Sequence, residues 1–442
     1  MIDYFHNLAR RIRLGYASMD PEPLLEISSF TRRLKCDPEL NNRKPKLLGK
    51  GRAMRIKFMV ETALCVLLIL NCALAESLDL GRVEDCSNFS NMSLSNLNLS
   101  GKHMNQSNLQ GSDLNMSDLS GTFLRSSWLI KSHLNGAKLV NADLNGAVLS
   151  EADLEGADLT GASLIRSQMS GINLKRSHLT KADFTEADLS DSDLTDADLT
   201  DARLFRTDLS GARLKGIYLT GANMIGAHLS WADLSEGYLS KGQFSRAELY
   251  NTNLSGSDLS NADFSRAYLM RTDLTKANMN SANMAYADMT ESKLMGANLN
   301  SAKLSYADLT RANLTGADLT NADLTVTRLT GVILRKAKLN RVNLRELDLR
   351  GIDLKGASLK NSILVGVFLT NADMSDVDLR DASFDRVEMT GVNLSGANLE
   401  QIKYDQTTLY SLIRANLDGA KMSENLRIDL NRSLNANDTA TM

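Results

Sequence analysis

The sequence predicts an all-β solenoid, a column of short extended pieces coiled and stacked on copies of themselves. Three observations predict it. Stepping by five residues from Phe89 to Leu409, all 65 positions are Leu, Met, Phe or Tyr, 51 of them Leu, with no insertion or deletion. Two residues before each centre stands Ala in 31 units, and Ala, Ser, Thr or Gly in 51; Asp or Asn immediately precedes the centre in 35. Finally, the 4 prolines, Pro21, Pro23, Pro38 and Pro45, all precede the array, so every backbone N–H within it is free to donate.

The period excludes the common alternatives. On an α-helix a step of five advances about 500°, so the Leu series would wander around the whole circumference. A heptad needs spacings of three and four. A long strand needs alternation throughout, whereas here a small and a large inward residue are followed by three polar ones. One such unit cannot bury its apolar pair alone and must stack on its neighbours. Asn, Asp, Ser and Gly, the last standing two after the centre in 21 units, supply the bends. Composition agrees, with aromatics at 5% although apolar residues reach 43% of the 442.

Units such as Ala-Asp-Leu-Thr-Gly at 157–161 and 317–321 carry a family resemblance. The repeat resembles the A(D/N)LxX unit of the pentapeptide-repeat family over residues 87–411. That resemblance implies a right-handed quadrilateral parallel β-helix with four units per coil, hence about 16 coils and a length of about 80 Å. Residues 20 apart should then stack. Arg166, Glu186 and Arg206 make one alternating series, and Arg271, Glu291 and Arg311 another; Tyr286 precedes Tyr306, and Tyr218 precedes Tyr238, by the same step.

Ahead of the array, residues 1–53 hold 11 Lys/Arg against 6 Asp/Glu and form a basic, poorly foldable segment. Residues 54–75 read as a signal peptide: Arg55 and Lys57, an apolar core at 62–70, then Ala73-Leu74-Ala75 before Glu76. Cleavage is expected between Ala75 and Glu76. The location after 53 residues has two explanations. Met54 is the true start, or residues 58–75 form an uncleaved signal-anchor held by the basic residues before it. Residues 76–86 lead into the array. Behind it, residues 412–442 are expected to form a helical cap and a disordered tail. Leu412, Ile413, Leu417, Met422, Leu426 and Ile428 offer an apolar face that closes the last coil or, across 412–430, joins two copies in a homodimer.

Little in the array suggests chemistry. His103, His133, His178 and His228 each precede a centre and fall on four different faces, so they do not share a metal. Cys36, Cys65, Cys72 and Cys86 match neither a zinc site nor a CxxC motif. No Gly-rich phosphate loop is present. Neither a catalytic activity nor a cofactor is expected. Sequons such as those at Asn88, Asn98 and Asn105 arise from the repeat itself. The local anomaly is acidic: Asp183, Glu186, Asp188, Asp191, Asp193, Asp196, Asp198 and Asp201 place eight carboxylates in one coil without a Lys or Arg among them. It reads as a solvated belt or as a docking ring for a basic partner or divalent cations, though too spread out to cage Ca²⁺.

Two functions compete. The first is a non-enzymatic rod presenting its faces to a protein partner, a secreted effector being one variant. It is secreted or periplasmic after cleavage, or membrane-anchored through 58–75. The second follows from the resemblance, since some family members mimic duplex DNA and bind type II topoisomerases in the cytoplasm. Duplex DNA of about 80 Å carries about 47 charges, one per about 1.7 Å. Residues 87–411 hold 32 Lys/Arg and 38 Asp/Glu, a net of 32 − 38 = −6, which is too dilute. Direct nucleic-acid binding is not expected on either reading.

Overall fold

The computed structural model describes residues 87–440, all within one compact unit, Arg82–Met442. The expectations for 1–53, 54–75 and 76–86 lie outside the described residues.

The five-residue period becomes a four-sided coil of 20 residues. Asn88 bridges Asn108 in parallel, Ser93 bridges Asp113, Asn98 bridges Asp118 and His103 bridges Phe123, and the step of 20 then recurs along the column. We number the faces from the unit centred on Phe89, so centres 89, 94, 99 and 104 open the first to fourth faces.

The hydrogen bonds of one unit explain its sequence. The Leu259 N–H donates to Asn278 O at 2.7 Å and the Asn261 N–H to Asn280 O at 2.9 Å, both in the next coil. Asp258 N–H donates back to Gly237 O at 2.9 Å, and Ala262 N–H closes the turn onto Leu259 O at 3.1 Å. The fifth amide, that of Ser260, donates to Oδ1 of Asp258 at 3.1 Å. All five N–H groups are therefore satisfied, one of them only because Asp or Asn precedes the centre. The third turn residue sits in the left-handed region, as Asn261 does at φ 59°, which is the type II requirement.

Inside, the two predicted inward positions are buried, Leu259 and Ala262 at 0% exposure, and Phe244 stacks on Phe264 at 4.6 Å. Most inward hydroxyls are satisfied by carbonyls, as when Ser112 Oγ donates to Leu109 O at 2.7 Å and Thr252 Oγ1 to Leu229 O at 2.8 Å, whereas Ser292 Oγ is buried without a partner. Outside, the step-of-20 stacks are present. Arg166 meets Glu186 at 2.7 Å; Glu291 takes Arg271 at 2.7 Å and Arg311 at 3.7 Å. Tyr218/Tyr238 and Tyr286/Tyr306 both stack at 4.8 Å. Arg206 departs from its series and lies over the Phe205 ring, 5.0 Å from its centre.

The ladder lapses in one place. Asp323 and Arg328 bridge the coil before them but not Asn343 and Asp348 in the coil after, although the neighbouring pairs on either side are formed. The rungs that Leu324, Val326, Leu329 and Gly331 should donate, and those from Asn343, Asp348 and Asp353 back, are missing, on the fourth and first faces and at the start of the second. A cause lies at the small inward position, where Leu347 follows Thr327 and Val342 follows Ala322. A Leu where most units carry Ala, Ser, Thr or Gly holds the two coils apart. Val326, β-branched yet at φ 56°, adds strain at the same corner.

At the far end, β1 (Ile363–Val365) pairs with β2 (Ser383–Asp385), and β3 (Asn398–Leu399) with β4 (Lys421–Met422), both in parallel. Between β3 and β4 runs α1 (Gln406–Leu412), capped by Asp405, whose side chain accepts from Thr408 N at 2.9 Å. Burial works against ionising that carboxyl, but the Thr408 and Arg386 amide bonds and the Thr hydroxyls outweigh it and hold its pKa down to about 2. The array expected to run unbroken to residue 411 is interrupted by α1, which takes Leu409, the last expected centre, onto a helix, and it resumes beyond: Asn416 bridges Asn393, a step of 23, so α1 absorbs three residues. Then α2 (Glu424–Ala440) buries Leu426 and Leu430, with Leu412 of α1 also buried, while Ile428 is 39% exposed. The apolar face expected through Ile428 thus runs through Leu430 instead. The segment expected to be a disordered tail continues α2 as far as Ala440, because a helix anchored by buried turns propagates at little cost.

Candidate functional site

The acidic coil is assembled as the sequence implied, with two carboxylates from each unit, but the two do different work. Asp183, Asp188, Asp193 and Asp198 precede their centres. Their Oδ1 atoms accept the amides of Thr185, Ser190, Thr195 and Thr200 at 2.9, 3.0, 3.2 and 2.9 Å. These four satisfy the fifth amide of their own units. Asp193 is half-buried, yet hydrogen bonds from Thr195 and Lys175 overcome that burial and lower its pKa. Asp183 also meets Arg203 at 3.5 Å, and Asp193 meets Lys175 at 3.0 Å and Arg213 at 3.6 Å.

The remaining four stand at corners in the left-handed region. Glu186 pairs with Arg166. Asp191, Asp196 and Asp201 lean over the glycines of the next coil: a Cβ on Gly211, Gly216 or Gly221 would meet their Oδ1 atoms at 2.5, 2.5 and 2.6 Å. Glycine there is a steric requirement as well as a conformational one. Three corner carboxylates, on three different corners, are all that the coil leaves without a structural duty or an ion pair.

The histidines stand apart on four faces. His103 stacks on Phe123 at 4.4 Å, and His228 Nδ1 lies 2.9 Å from Glu248 Oε2. Among the described residues no three His, Cys, Asp or Glu side chains converge as a metal site would require, and no helix is long and apolar enough to cross a membrane. At the far end the Tyr404 hydroxyl donates to Asp429 at 2.8 Å, and burial together with that carboxylate pushes its pKa up to about 12. Ala73, Ala75 and Glu76 fall outside the described residues.

One surface feature escaped the sequence reading. Residues 328–360 hold nine Lys/Arg against three Asp/Glu, a belt that averaging charge over the whole array conceals. Several are paired, such as Arg328 with Asp308 at 3.0 Å and Lys338 with Asp318 at 3.2 Å. Lys336, Arg341, Arg345 and Lys355 make no ion pair among the described residues. A running charge sum along the sequence would have found it.

The pentapeptide repeats family pattern matches in stretches from 87–125 to 362–401, which overlap from 167–206 onward. HetL, a pentapeptide repeat protein involved in heterocyst differentiation regulation from the cyanobacterium Nostoc sp. strain PCC 7120, is 32% identical over 52% of this chain and 89% of its own, with a TM-score of 0.29. Rfr23 from the cyanobacterium Cyanothece 51142 is 36% identical over 19% of this chain and 58% of its own, at a TM-score of 0.19. QnrB1, a plasmid-mediated fluoroquinolone resistance protein, shares 17% identity over 56% of this chain and 89% of its own, at 0.21. No curated protein matches the chain.

Proposed function

The chain belongs to the pentapeptide-repeat family, whose fold is a right-handed β-helix, and from that premise we propose that it is an exported, non-enzymatic interaction column. The observation that carries this reading is the division of duties within each unit. Most backbone amides, inward hydroxyls and face aspartates are engaged in holding the coil, so recognition falls to exposed rows and corners rather than to a cleft. The coil count of about 16 and the closing of the last coil by α1 and α2 belong to the same reading. Export rests on Arg55, Lys57, the apolar 62–70 core and Ala73-Leu74-Ala75. The belt at 328–360 speaks further against DNA mimicry, because a stretch with an excess of six cations is a poor copy of a phosphate backbone.

N-terminal sequencing of the native protein tests export. The mature chain should begin at Glu76 outside the cytoplasm, and Ala75→Pro should leave a larger, membrane-associated precursor. A soluble cytoplasmic chain retaining 54–75 would overturn the proposal. A membrane-bound chain retaining 1–53 would replace cleavage by anchoring.

A further inference from the structure

One side of the column differs from the others between residues 203 and 328. Six of its eight arginines, Arg206, Arg246, Arg266, Arg271, Arg311 and Arg328, lie on the first face or its two corners, and none of its five lysines does. Six of the eight exposed large apolar side chains between 231 and 326 share that side: Trp231, Tyr268, Met270, Tyr286, Tyr306 and Val326. Arginine, Trp, Tyr and Met without Lys is the composition of a buried protein interface, not of a solvated face. Trp231 is 66% exposed and Val326 61%, and both hold left-handed corners where glycine is the unstrained choice.

The order of these residues identifies the partner. Along the fourth–first corner stand Arg206, Gly226, Arg246, Arg266, Tyr286, Tyr306, Val326 and Glu346, one per coil. Reversing that row about the midpoint between Arg266 and Tyr286 sets Arg266 against Tyr286, Arg246 against Tyr306, Val326 against Gly226 and Arg206 against Glu346. These are two arginine–tyrosine pairs, a side chain against a gap, and an ion pair; Arg266 also lies over Tyr286 within its own chain, 5.6 Å from the ring centre. The first–second corner, reversed about the same level, sets Arg271 against Glu291, an ion pair each chain also makes within itself, and Trp231 against Gly331. Two corners of one face are thus self-complementary under a single two-fold operation. We propose that the column forms an antiparallel homodimer through its first face, its two-fold axis passing between the coils of Arg266 and Tyr286. The rows that meet extend over about 34 Å, seven steps of about 4.8 Å. The carboxylates this apposes on the face itself, Glu248 with Asp308 and Asp208 with Asp348, each hold a partner in their own chain: His228 at 2.9 Å, Arg328 at 3.0 Å, the Ser210 amide at 2.9 Å and Arg350 at 2.5 Å. This surface is distinct from the 412–430 contact considered above and goes beyond the proposed function.

The test uses the full chain in sedimentation velocity up to about 100 µM, ample for an interface of ordinary size. A dimer is expected. Trp231→Gly, which installs the repeat's own corner residue and so preserves the fold, should weaken it by roughly tenfold or more with the melting temperature unchanged. Arg206→Glu or Glu346→Arg alone should weaken it, and the two together should restore it. With Cys36, Cys65, Cys72 and Cys86 replaced by Ser, the double variant Arg206→Cys/Glu346→Cys should cross-link between chains, and Arg206→Cys alone should not. A monomer throughout that range overturns the proposal. So does a dimer indifferent to Trp231→Gly and to the charge exchange, since it would then be held by another surface.

Discussion

Residues 87–322 and residues 323–402 obey the same five-residue rule, yet their ladders differ. In the first stretch only Met92, Leu97, Lys102, Ile172 and Ile217 break the small-residue rule at the inner position, in 48 units. In the second, nine of 16 inner positions hold Val, Ile or Leu. The first stretch keeps its rungs throughout; the second begins at the site where those between the 322–331 and 342–351 units are missing. The contrast teaches that the central Leu sets the period while the small residue sets the pitch. Coils spaced for backbone hydrogen bonds leave room for Ala, Ser or Thr, and a larger group must be fitted by a neighbour's shape or by opening the ladder.

Four measurements sharpen that comparison. The largest effect is expected from truncating a centre. Leu259→Ala, at 0% exposure in the regular stretch, should cost about 2–5 kcal/mol by urea unfolding. Leu329→Ala, at 5% exposure beside the lapse, should cost under about 2 kcal/mol, because the site is already loosened. Equal costs would mean the missing rungs carry no energetic signature.

Exchanging the inner residues comes next. Ala262→Leu should cost about 1–3 kcal/mol by overpacking an intact ladder. Leu347→Ala should instead bring the coils together, raising hydrogen-exchange protection at Leu324, Leu329, Asn343 and Asp348 by about tenfold. Unchanged protection would move the cause away from Leu347 and onto Val326.

A smaller effect separates the two kinds of outward residue. Asp258→Ala removes the acceptor of the Ser260 amide and of Asn278 Nδ2, the latter at 2.9 Å, and should cost about 1 kcal/mol; Asp258→Asn, which keeps an acceptor, should cost less. In the acidic coil, Asp191→Asn and Asp196→Asn together should leave stability unchanged or slightly raised, since like charges are removed and no amide loses its partner.

The smallest effect depends on pH and lies in the second stretch. Burial of Asp378 opposes its ionisation, but Arg380 at 2.8 Å and Lys360 at 3.1 Å prevail and hold its pKa down to about 2. A carboxyl depressed on folding contributes stability that is complete above about pH 4 and lost as pH falls towards about 2. Melting temperatures of the native chain and Asp378→Asn should therefore differ at pH 5 and converge near pH 2. A constant difference would show that the pair is not responsible.

Much of this architecture was legible because period, inward positions and step-of-20 stacks follow from side-chain type alone. The duty of the face aspartates was not. Composition presents Asp183 or Asp258 as a solvated charge, and only an inventory of all five amides in a unit reveals the one without a carbonyl. The lapse at 323–350 is signalled by Leu347 at a small-residue position, a signal that the unbroken series of centres masks. The first-face arginines and aromatics are scattered in sequence and come together only when the chain is wound at 20 residues per turn. The signal-peptide reading of Ala73, Ala75 and Glu76 stands on sequence alone.

The uninterrupted count from Phe89 to Leu409 acts on the surface as a reading frame acts on a message. Deleting five residues would keep every Leu inside, yet rotate everything downstream by a quarter turn and carry each later residue to a different side. Deleting 20 would shorten the column and leave every row in line. Among the described residues, only near the end, where α1 takes up three extra residues before Asn416 rejoins the ladder, is a length change absorbed that is not a multiple of five. A protein whose recognition lies in rows is free to lengthen by whole coils, while a change of one unit would re-address every residue that follows.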